Sequence, residues 1–275
     1  MKKLFVTFGD GSENFNLAVK RIVEQANKSK YFDKCVGINS GEFKKISPLF
    51  TESFENLQQL AQFPYFYRAG KTYLIHEALH GLFGDFDVIV YADPGCELVW
   101  NKTALKKLDQ TVSNSVADHA YAEQLQAPEW QYSKKYFLES VNATDEEKES
   151  GQIQATFSIF HNCPETKKFS REWINWSNSK LNYWQDPIEE EQEEGFISHR
   201  NDQSLFSILW KRHKFSVGPN SRKYSGHLDL LRSAPVPIQT IRNRTGKVVI
   251  PNFYNWNICG ILGKVIYEIS EKLRK

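Results

Sequence analysis

One apolar run in the middle of the chain constrains the fold more than any other feature. Residues 87–92 read Asp-Val-Ile-Val-Tyr-Ala, and Asp93-Pro94-Gly95 follows directly. A continuous β-branched run is typical of a strand buried on both faces of a sheet, and Pro and Gly end it at once. Because ligands of open α/β sheets bind beyond the carboxyl ends of the strands, Asp93 is predicted to lie at a ligand-binding edge.

The flanking segments predict an alternation of strands and helices. Residues 4–8 form a short apolar run, residues 15–26 place apolar side chains at helical spacing, and residues 32–38 read as a second strand. This order predicts an α/β fold with a mostly parallel central sheet and flanking helices.

The later segments extend this pattern, and we treat residues 1–275 as one domain in which 216–275 is a C-terminal extension. Further elements are predicted as helices over 71–82 and 167–181, a strand over 152–160, a helix from Asp202, and a basic amphipathic helix over 258–275.

Composition narrows the classes of partner. The formal net charge is +2, so the sequence offers no electrostatic basis for a nucleic-acid partner. The 4 cysteines are far apart and form no Cys-x-x-Cys pair, which argues against zinc and favours a reducing compartment. The apolar run at 4–8 is too short for a secretory signal, and no stretch reaches the ~20 apolar residues of a membrane span. We therefore expect a soluble, cytoplasmic protein.

Residues 91–97 hold the first candidate chemistry, two carboxylates four residues apart. Asp93 and Glu97 supply the oxygen ligands that Mg²⁺ or Mn²⁺ prefers, and such a cation would neutralise a leaving diphosphate. His227 is a candidate late ligand. Each has an ordinary alternative, since an Asp before Pro-Gly commonly caps a turn and a lone His commonly lies at the surface.

A second cluster, His-Arg-Asn-Asp-Gln-Ser at 199–204, opens a predicted helix. The amino terminus of a helix favours anionic and hydroxyl-rich ligands, but Asn or Asp is equally natural there as an N-cap. Arg68 and Lys71 are candidate phosphate contacts, although most basic side chains are simply solvated.

Three common motifs are missing from the sequence. It has no Gly-rich Walker loop, no Gly-x-Gly-x-x-Gly after the first strand and no Gly-x-Ser-x-Gly elbow. Their absence argues against kinase-like, dehydrogenase and serine-hydrolase functions.

Three motifs follow one another along the chain: Thr-Phe-Gly-Asp at 7–10, Tyr-Ala-Asp-Pro-Gly-Cys-Glu at 91–97, and the cluster at 199–204. In this order they resemble bacterial glycosyltransferases of the GT-A fold. One group of these enzymes has Tyr-Leu-Asp-Ala-Gly-Cys-Glu in the middle strand and His-Arg-His-Asp-Gln-Ser near the end. The resemblance spans residues 4–209. This sequence departs from the Asp-x-Asp metal motif of the family, because Gly95 stands at the second position and leaves Glu97 or the Cys96 backbone as substitutes.

The resemblance implies a metal-dependent transfer of a hexose from a UDP- or GDP-sugar to a glycan, polysaccharide or lipid-linked acceptor. In retaining enzymes related to glycogenin and the galactosyltransferases, an Asp-Gln pair lies beneath the anomeric carbon of the donor. By that likeness Asp202 and Gln203 would be catalytic and configuration would be retained, with residues 154–156 bordering the acceptor. The donor contacts so implied are Thr7, Phe8, Gly9, Arg68, Lys71, Tyr91, Ala92, Asp93 and His199.

Other functions stay open at this point. A nucleotidyl- or phosphotransferase would use a similar sheet, but it needs more carboxylates around its metal than the sequence offers. A non-catalytic nucleotide-sugar-binding or glycan-assembly protein is compatible with the incomplete Asp-x-Asp motif. The basic helix predicted at 258–275 also allows peripheral contact with the inner face of the membrane.

Overall fold

Strands and helices alternate along the chain, as the sequence predicts. The computed structural model describes residues 1–60, 69–179, 183–184, 192–219, 238–239 and 245–247. The strands are β1 (Lys3–Phe8), β2 (Lys34–Ile38), β3 (Val88–Ala92), β4 (Glu97–Leu98), β5 (Ala120–Pro128), β6 (Gly151–His161), β7 (Ser216–Pro219) and β8 (Ile238–Gln239). The helices are α1 (Glu13–Ser29), α2 (Ser40–Phe43), α3 (Pro48–Leu60), α4 (Gly70–Leu79), α5 (Lys102–Asn114), α6 (Lys135–Ser140), α7 (Asp145–Glu149), α8 (Pro164–Ser179) and α9 (Asp202–His213).

The central sheet has six strands in the order β2-β1-β3-β6-β5-β7. Strand β1 is parallel to β2 and β3, β5 is parallel to β7, and β6 is antiparallel to both β3 and β5. All strands of this sheet except β6 therefore run in one direction. The predicted α/β class, with a mostly parallel sheet and flanking helices, is confirmed.

Helices cover both faces of the sheet, which explains why the first strands are apolar throughout. On β1, Leu4 and Val6 point into a core shared with α4, α8 and α9, whereas Phe5 points into the opposite core with Ile22 of α1 and Leu108 of α5. Alternate residues of a strand face opposite sides of a sheet, so a strand between two layers must be apolar at every position.

Described pieces of the predicted C-terminal extension return to the body of the protein. Strand β7 is an edge strand of the central sheet, and β8 pairs with β4 in a second, two-stranded sheet. The helix predicted at 258–275 lies outside the described residues. Among the helices that the structure describes, none is long and apolar enough to cross a membrane.

Candidate active site

A close packing places the start of α4 at the carboxyl end of β1. A Cβ atom at Gly70 would lie 2.1 Å from Cζ of Phe8, so only glycine lets the helix approach the strand this closely. The Phe8 ring is itself buried against Phe43 and Phe50. The backbone of Lys71, the second residue of α4, is thereby fixed beside the end of the sheet.

The ammonium group of Lys71 lies between two carboxylates that come from different elements. Its Nζ atom is 2.9 Å from Oδ1 of Asp93, which follows β3, and 2.9 Å from Oδ2 of Asp202, the first residue of α9. It also donates to the carbonyl oxygen of Ala155 in β6 at 3.3 Å. The Tyr91 hydroxyl donates to Oδ1 of Asp93 at 2.6 Å. The fold thus brings together four residues that the sequence assigned to one site.

The charges in this Lys71–Asp93–Asp202 group are not balanced. Burial alone lowers the pKa of Lys71, but the charges of Asp202 and Asp93 outweigh burial and raise it above its ordinary value. Lys71 is therefore a cation at neutral pH. Burial, reinforced by Asp93, raises the pKa of Tyr91 well above its usual range, so its hydroxyl remains a donor. Two carboxylates against one ammonium leave a net negative charge that a further cation would neutralise.

A buried arginine holds the loop that carries Asp93. Arg21 on α1 is 3% exposed, and its Nη2 atom donates to the carbonyl oxygens of Pro94 and Cys96, both at 2.7 Å. Its Nη1 atom donates to the carbonyl oxygen of Thr245 at 2.6 Å. These charge-assisted hydrogen bonds fix the turn directly after β3.

The two carboxylates predicted as metal ligands differ in their surroundings. Glu97 is fully buried, and while burial lowers the pKa of Arg21, the charge of Glu97 opposes that shift. The side chain of Asp93 is 31% exposed, and within the described ranges no hydrogen bond or ion pair engages its Oδ2 atom. Mg²⁺ is often held by one or two carboxylates with substrate phosphates and water, so Asp93 fits such a cation. Glu97 already has a counter-charge in Arg21. Two other predicted site residues, His227 and Arg68, lie outside the described residues.

The start of α9 is strained. Asn201, directly before Asp202, has φ 41° and ψ −108°, a region that residues other than glycine rarely adopt. Its side-chain amide donates to the carbonyl oxygen of Trp184, and both residues are buried. Strained residues of this kind are concentrated at functional sites.

A chain of buried hydrogen bonds, which we call the Glu129 relay, fixes the amide of Gln203. The Glu129 carboxylate is fully buried and can only accept, and Nε2 of Gln152 donates to its Oε1 atom at 2.9 Å. The Oε1 atom of Gln152 is therefore the acceptor for Nε2 of Gln203, at 2.5 Å. Lys211 balances the charge of Glu129 from 2.9 Å. The relay fixes the amide nitrogen of Gln203, and among the described residues no hydrogen bond engages its side-chain carbonyl oxygen.

His199 is engaged by the backbone of the protein. Its Nε2 atom donates to the carbonyl oxygen of Tyr183 at 2.7 Å, and its Nδ1 atom accepts from the backbone N–H of Lys134 at 3.3 Å. Because a carbonyl oxygen only accepts, the ring is the neutral tautomer protonated at Nε2. A structural role accounts for these contacts, and the donor contact of His199 stays a prediction.

The remaining predicted donor contacts, Thr7, Phe8, Gly9 and Ala92, lie at the carboxyl ends of β1 and β3, and their contact with a donor stays a prediction. Thr7 and Ala92 are fully buried at the ends of β1 and β3, and the Thr7 hydroxyl has no hydrogen-bond partner among the described residues. A Cβ atom at Gly9 would lie 2.6 Å from Val19 and 3.0 Å from Pro94, so glycine allows the strand end, α1 and the Asp93 loop to meet.

Neither a protein-family model nor a curated protein matches this sequence. Solved structures similar to it include mouse xyloside xylosyltransferase 1 in its apo form, 11% identical, covering 87% of this chain and 97% of that chain at a TM-score of 0.46. The apo glycosyltransferase GlyE of Streptococcus pneumoniae is 13% identical, with coverages of 97% and 64% and a TM-score of 0.44. The galactosyltransferase LgtC, solved with donor and acceptor sugar analogues, is 12% identical, with coverages of 96% and 96% and a TM-score of 0.40. TM-scores this low carry no argument about activity.

Sequence analysis missed two residues that hold this site, Arg21 and Glu129. Arg21 reads as one more charge on an amphipathic helix, and Glu129 begins a three-residue 3₁₀ helix directly after β5, so no local pattern marks either of them. Arg21 holds the Asp93 loop through carbonyl oxygens 73 and 75 residues away, and Glu129 contacts Gln152 and Lys211, 23 and 82 residues away. Asn201 was named in the cluster at 199–204 as a possible N-cap, but its strained backbone was not predicted, although asparagine adopts positive φ more readily than most residues.

Proposed function

We propose that this protein is a glycosyltransferase that moves a hexose from a UDP- or GDP-sugar to a glycan, polysaccharide or lipid-linked acceptor. One observation carries the proposal: the Lys71–Asp93–Asp202 group lies where the carboxyl ends of β1 and β3 meet the amino termini of α4 and α9. This is the edge at which α/β sheets bind ligands.

The chemistry of the group suits a diphosphate joined to a sugar. Lys71 supplies a buried positive charge, and the start of α9 adds the positive end of a helix dipole. Carboxylate and amide oxygens, as on Asp202 and Gln203, accept hydrogen bonds from sugar hydroxyls. A diphosphate at one side and a hydroxyl-rich ring at the other therefore match this site.

Asp93 would hold a Mn²⁺ or Mg²⁺ ion through its Oδ2 atom. When bound, the ion would neutralise the diphosphate as it leaves the sugar. Tyr91 and Lys71 both contact the other oxygen, Oδ1, and so fix the direction in which Oδ2 points. Arg21 keeps the loop in place from behind.

Asp202 and Gln203 would act on the sugar itself. The transition state of glycosyl transfer carries positive charge near the anomeric carbon, and a fixed carboxylate or carbonyl oxygen stabilises it. The Glu129 relay presents such an oxygen on Gln203. We assign these two residues to the catalytic step, with retention of configuration, and place residues 154–156 beside the acceptor.

The acceptor and the cellular setting complete the proposal. A cytoplasmic role in polysaccharide biosynthesis, with peripheral contact at the inner face of the membrane through residues 258–275, provides a lipid-linked or growing-glycan acceptor. Flotation with vesicles, with and without these residues, tests that contact directly.

A thermal-shift screen against UDP, GDP, CMP and the corresponding sugars, with Mn²⁺ or with EDTA, tests donor binding. A ligand present at 100 times its Kd adds about 2.7 kcal/mol, which is roughly 5 °C for 275 residues. We expect the melting temperature to rise with the nucleotides of one base, and only when the metal is present. The rise should disappear in Asp93→Asn. It should persist in the control Asp109→Asn, which changes a carboxylate whose side chain is 56% exposed. No shift with any nucleotide would reject the proposal. A shift without turnover of any sugar would favour a non-catalytic nucleotide-sugar-binding protein.

A further inference from the structure

Three side chains of types that can bind a metal ion lie close together, away from the candidate active site. They are His119, just before β5, Cys163, just after β6, and Glu165 in the first turn of α8. One ring nitrogen, the Sγ atom and one carboxylate oxygen lie within 4.8 Å of one another. In the described part of the chain this is the one group of three His, Cys, Asp or Glu residues with that spacing.

The group lies at the edge of the sheet opposite to Asp93. Strand β3 pairs antiparallel with β6, so that Ala92 stands beside Phe157 while Val88 stands beside His161. Asp93 follows Ala92 at one edge, whereas Cys163 follows His161 at the other. The two sites are thus separated by the length of β3, and the proposed transferase does not use this one.

Backbone hydrogen bonds hold the segments that carry the three side chains. The N–H of His161 donates to the carbonyl oxygen of His119 at 2.9 Å, which ties the start of β5 to the end of β6. The Thr166 hydroxyl donates to the carbonyl oxygen of His161 and accepts from the N–H of Cys163 at 3.3 Å, which fixes the start of α8. The side chains are therefore presented from fixed backbone, and a cation would need only rotamer adjustment.

The three side chains differ in their exposure to solvent. His119 and Cys163 are half-buried and Glu165 is exposed, so the group is open to solvent on one side. An ion could enter, and water could complete its coordination.

We propose that His119, Cys163 and Glu165 bind one Zn²⁺ ion, with water as the fourth ligand. Thiolate, imidazole and carboxylate are the ligands that Zn²⁺ takes in proteins, whereas Mg²⁺ avoids sulfur. Tetrahedral bonds of about 2.0–2.3 Å place ligand atoms about 3.3–3.8 Å apart. The three atoms must therefore close by roughly 1.5 Å at most. The bound ion would clip the start of β5 to the start of α8.

Titration of the full, untagged and reduced chain with Zn²⁺ by calorimetry, and with Co²⁺ by absorption, tests the proposal. We expect one ion per chain, a cobalt–thiolate charge-transfer band, and at least tenfold weaker binding in Cys163→Ser and His119→Gln. The matched controls are Cys35→Ser, a half-buried cysteine on β2, and His80→Gln, an exposed histidine; both should bind as the unmodified chain does.

Glu165→Gln separates loss of zinc binding from loss of folding, because a substitution at an exposed position leaves the core intact. Without metal, this variant should have the same melting temperature as the unmodified chain. Its affinity for Zn²⁺ should nevertheless be at least tenfold weaker. Absence of a bound ion in the unmodified chain, or equal affinity in all variants, overturns the proposal. Neither result bears on nucleotide binding at Asp93, which the thermal-shift screen measures separately.

Discussion

Replacing Glu129 by glutamine should destabilise the protein strongly, although the two side chains have nearly the same shape. Glu129 is fully buried and accepts from Ser133 at 2.6 Å, from Gln152 at 2.9 Å, from Ser207, and from Lys211 at 2.9 Å. Its removal leaves the Lys211 ammonium, only 12% exposed, without a counter-charge.

Breaking a buried ion pair from one side costs about 3–5 kcal/mol. Lys211 keeps two carbonyl acceptors, those of Glu147 at 2.7 Å and Ser150 at 3.3 Å, so the lower end applies. About 3 kcal/mol corresponds to a fall in melting temperature of roughly 5 °C for 275 residues.

Scanning calorimetry with urea unfolding measures the effect, and a double-mutant cycle isolates its cause. Lys211→Met added to Glu129→Gln removes the stranded charge, and it should recover at least about 1 kcal/mol relative to the single change. Asp109→Asn, at an exposed pair, should change the free energy of unfolding by less than about 1 kcal/mol. If Glu129→Gln lowered the melting temperature by less than about 2 °C, or if the double variant recovered no stability, the Lys211 charge would not be the cause of the loss.

Three further predictions concern the packing and charges around the site. Arg21→Gln should lower stability by about 2–3 kcal/mol and weaken donor binding, because its charge-assisted hydrogen bonds to the Asp93 loop are lost. Gly70→Ala should cost about 1–3 kcal/mol, since its Cβ would overlap Phe8, and Phe8→Leu should restore part of the loss. Burial, followed by the charges of His80 and Arg171, lowers the pKa of His76 to about 4. The contribution of neutral His76 to the free energy of unfolding is therefore complete above pH 6.5 and is lost as the pH falls towards 4. Partial exposure limits that loss to the order of 1–2 kcal/mol, and His76→Asn should remove it.

Each of these has a result that contradicts it. Unchanged urea midpoints in Arg21→Gln would mean that the loop holds itself. Failure of Phe8→Leu to help Gly70→Ala would show that the overlap is relieved elsewhere. Equal slopes of stability against pH in His76→Asn and the unmodified chain would assign the acid sensitivity to other groups.

The central elements could be predicted because their signals are local. Strand β3 and helix α1 follow from apolar periodicity within a few residues, and the Pro-Gly pair after Asp93 marks the strand end. Strand β5 was missed because Ala-Tyr-Ala-Glu-Gln-Leu-Gln-Ala-Pro shows neither a continuous apolar run nor a clean alternation. The reversed direction of β6 depends on how distant strands pack, which periodicity does not encode.

The residues of the candidate site likewise fall into those that local signals predict and those that depend on distant contacts. Asp93, Lys71 and Asp202 were singled out by strand and helix ends and by family resemblance, and the structure brings them within hydrogen-bond distance. The orientation of Gln203 depends on Glu129, far away in the chain, and so cannot be read locally. The zinc site could not be predicted from the sequence for the same reason. The absence of a Cys-x-x-Cys pair does not exclude a site in which strand pairing brings His119 close to Cys163.

Release of nucleoside diphosphate from UDP- and GDP-sugars in the presence of Mn²⁺ measures the proposed transferase activity itself. We expect turnover with one of these donors and a rate at least about 100-fold lower in Asp202→Asn, in line with the loss of one stabilising group in the transition state. Asp109→Asn should turn over normally. Equal rates in Asp202→Asn and the unmodified chain, or no turnover with any donor and acceptor sugar supplied, would contradict the assignment of the Lys71–Asp93–Asp202 group as the active site.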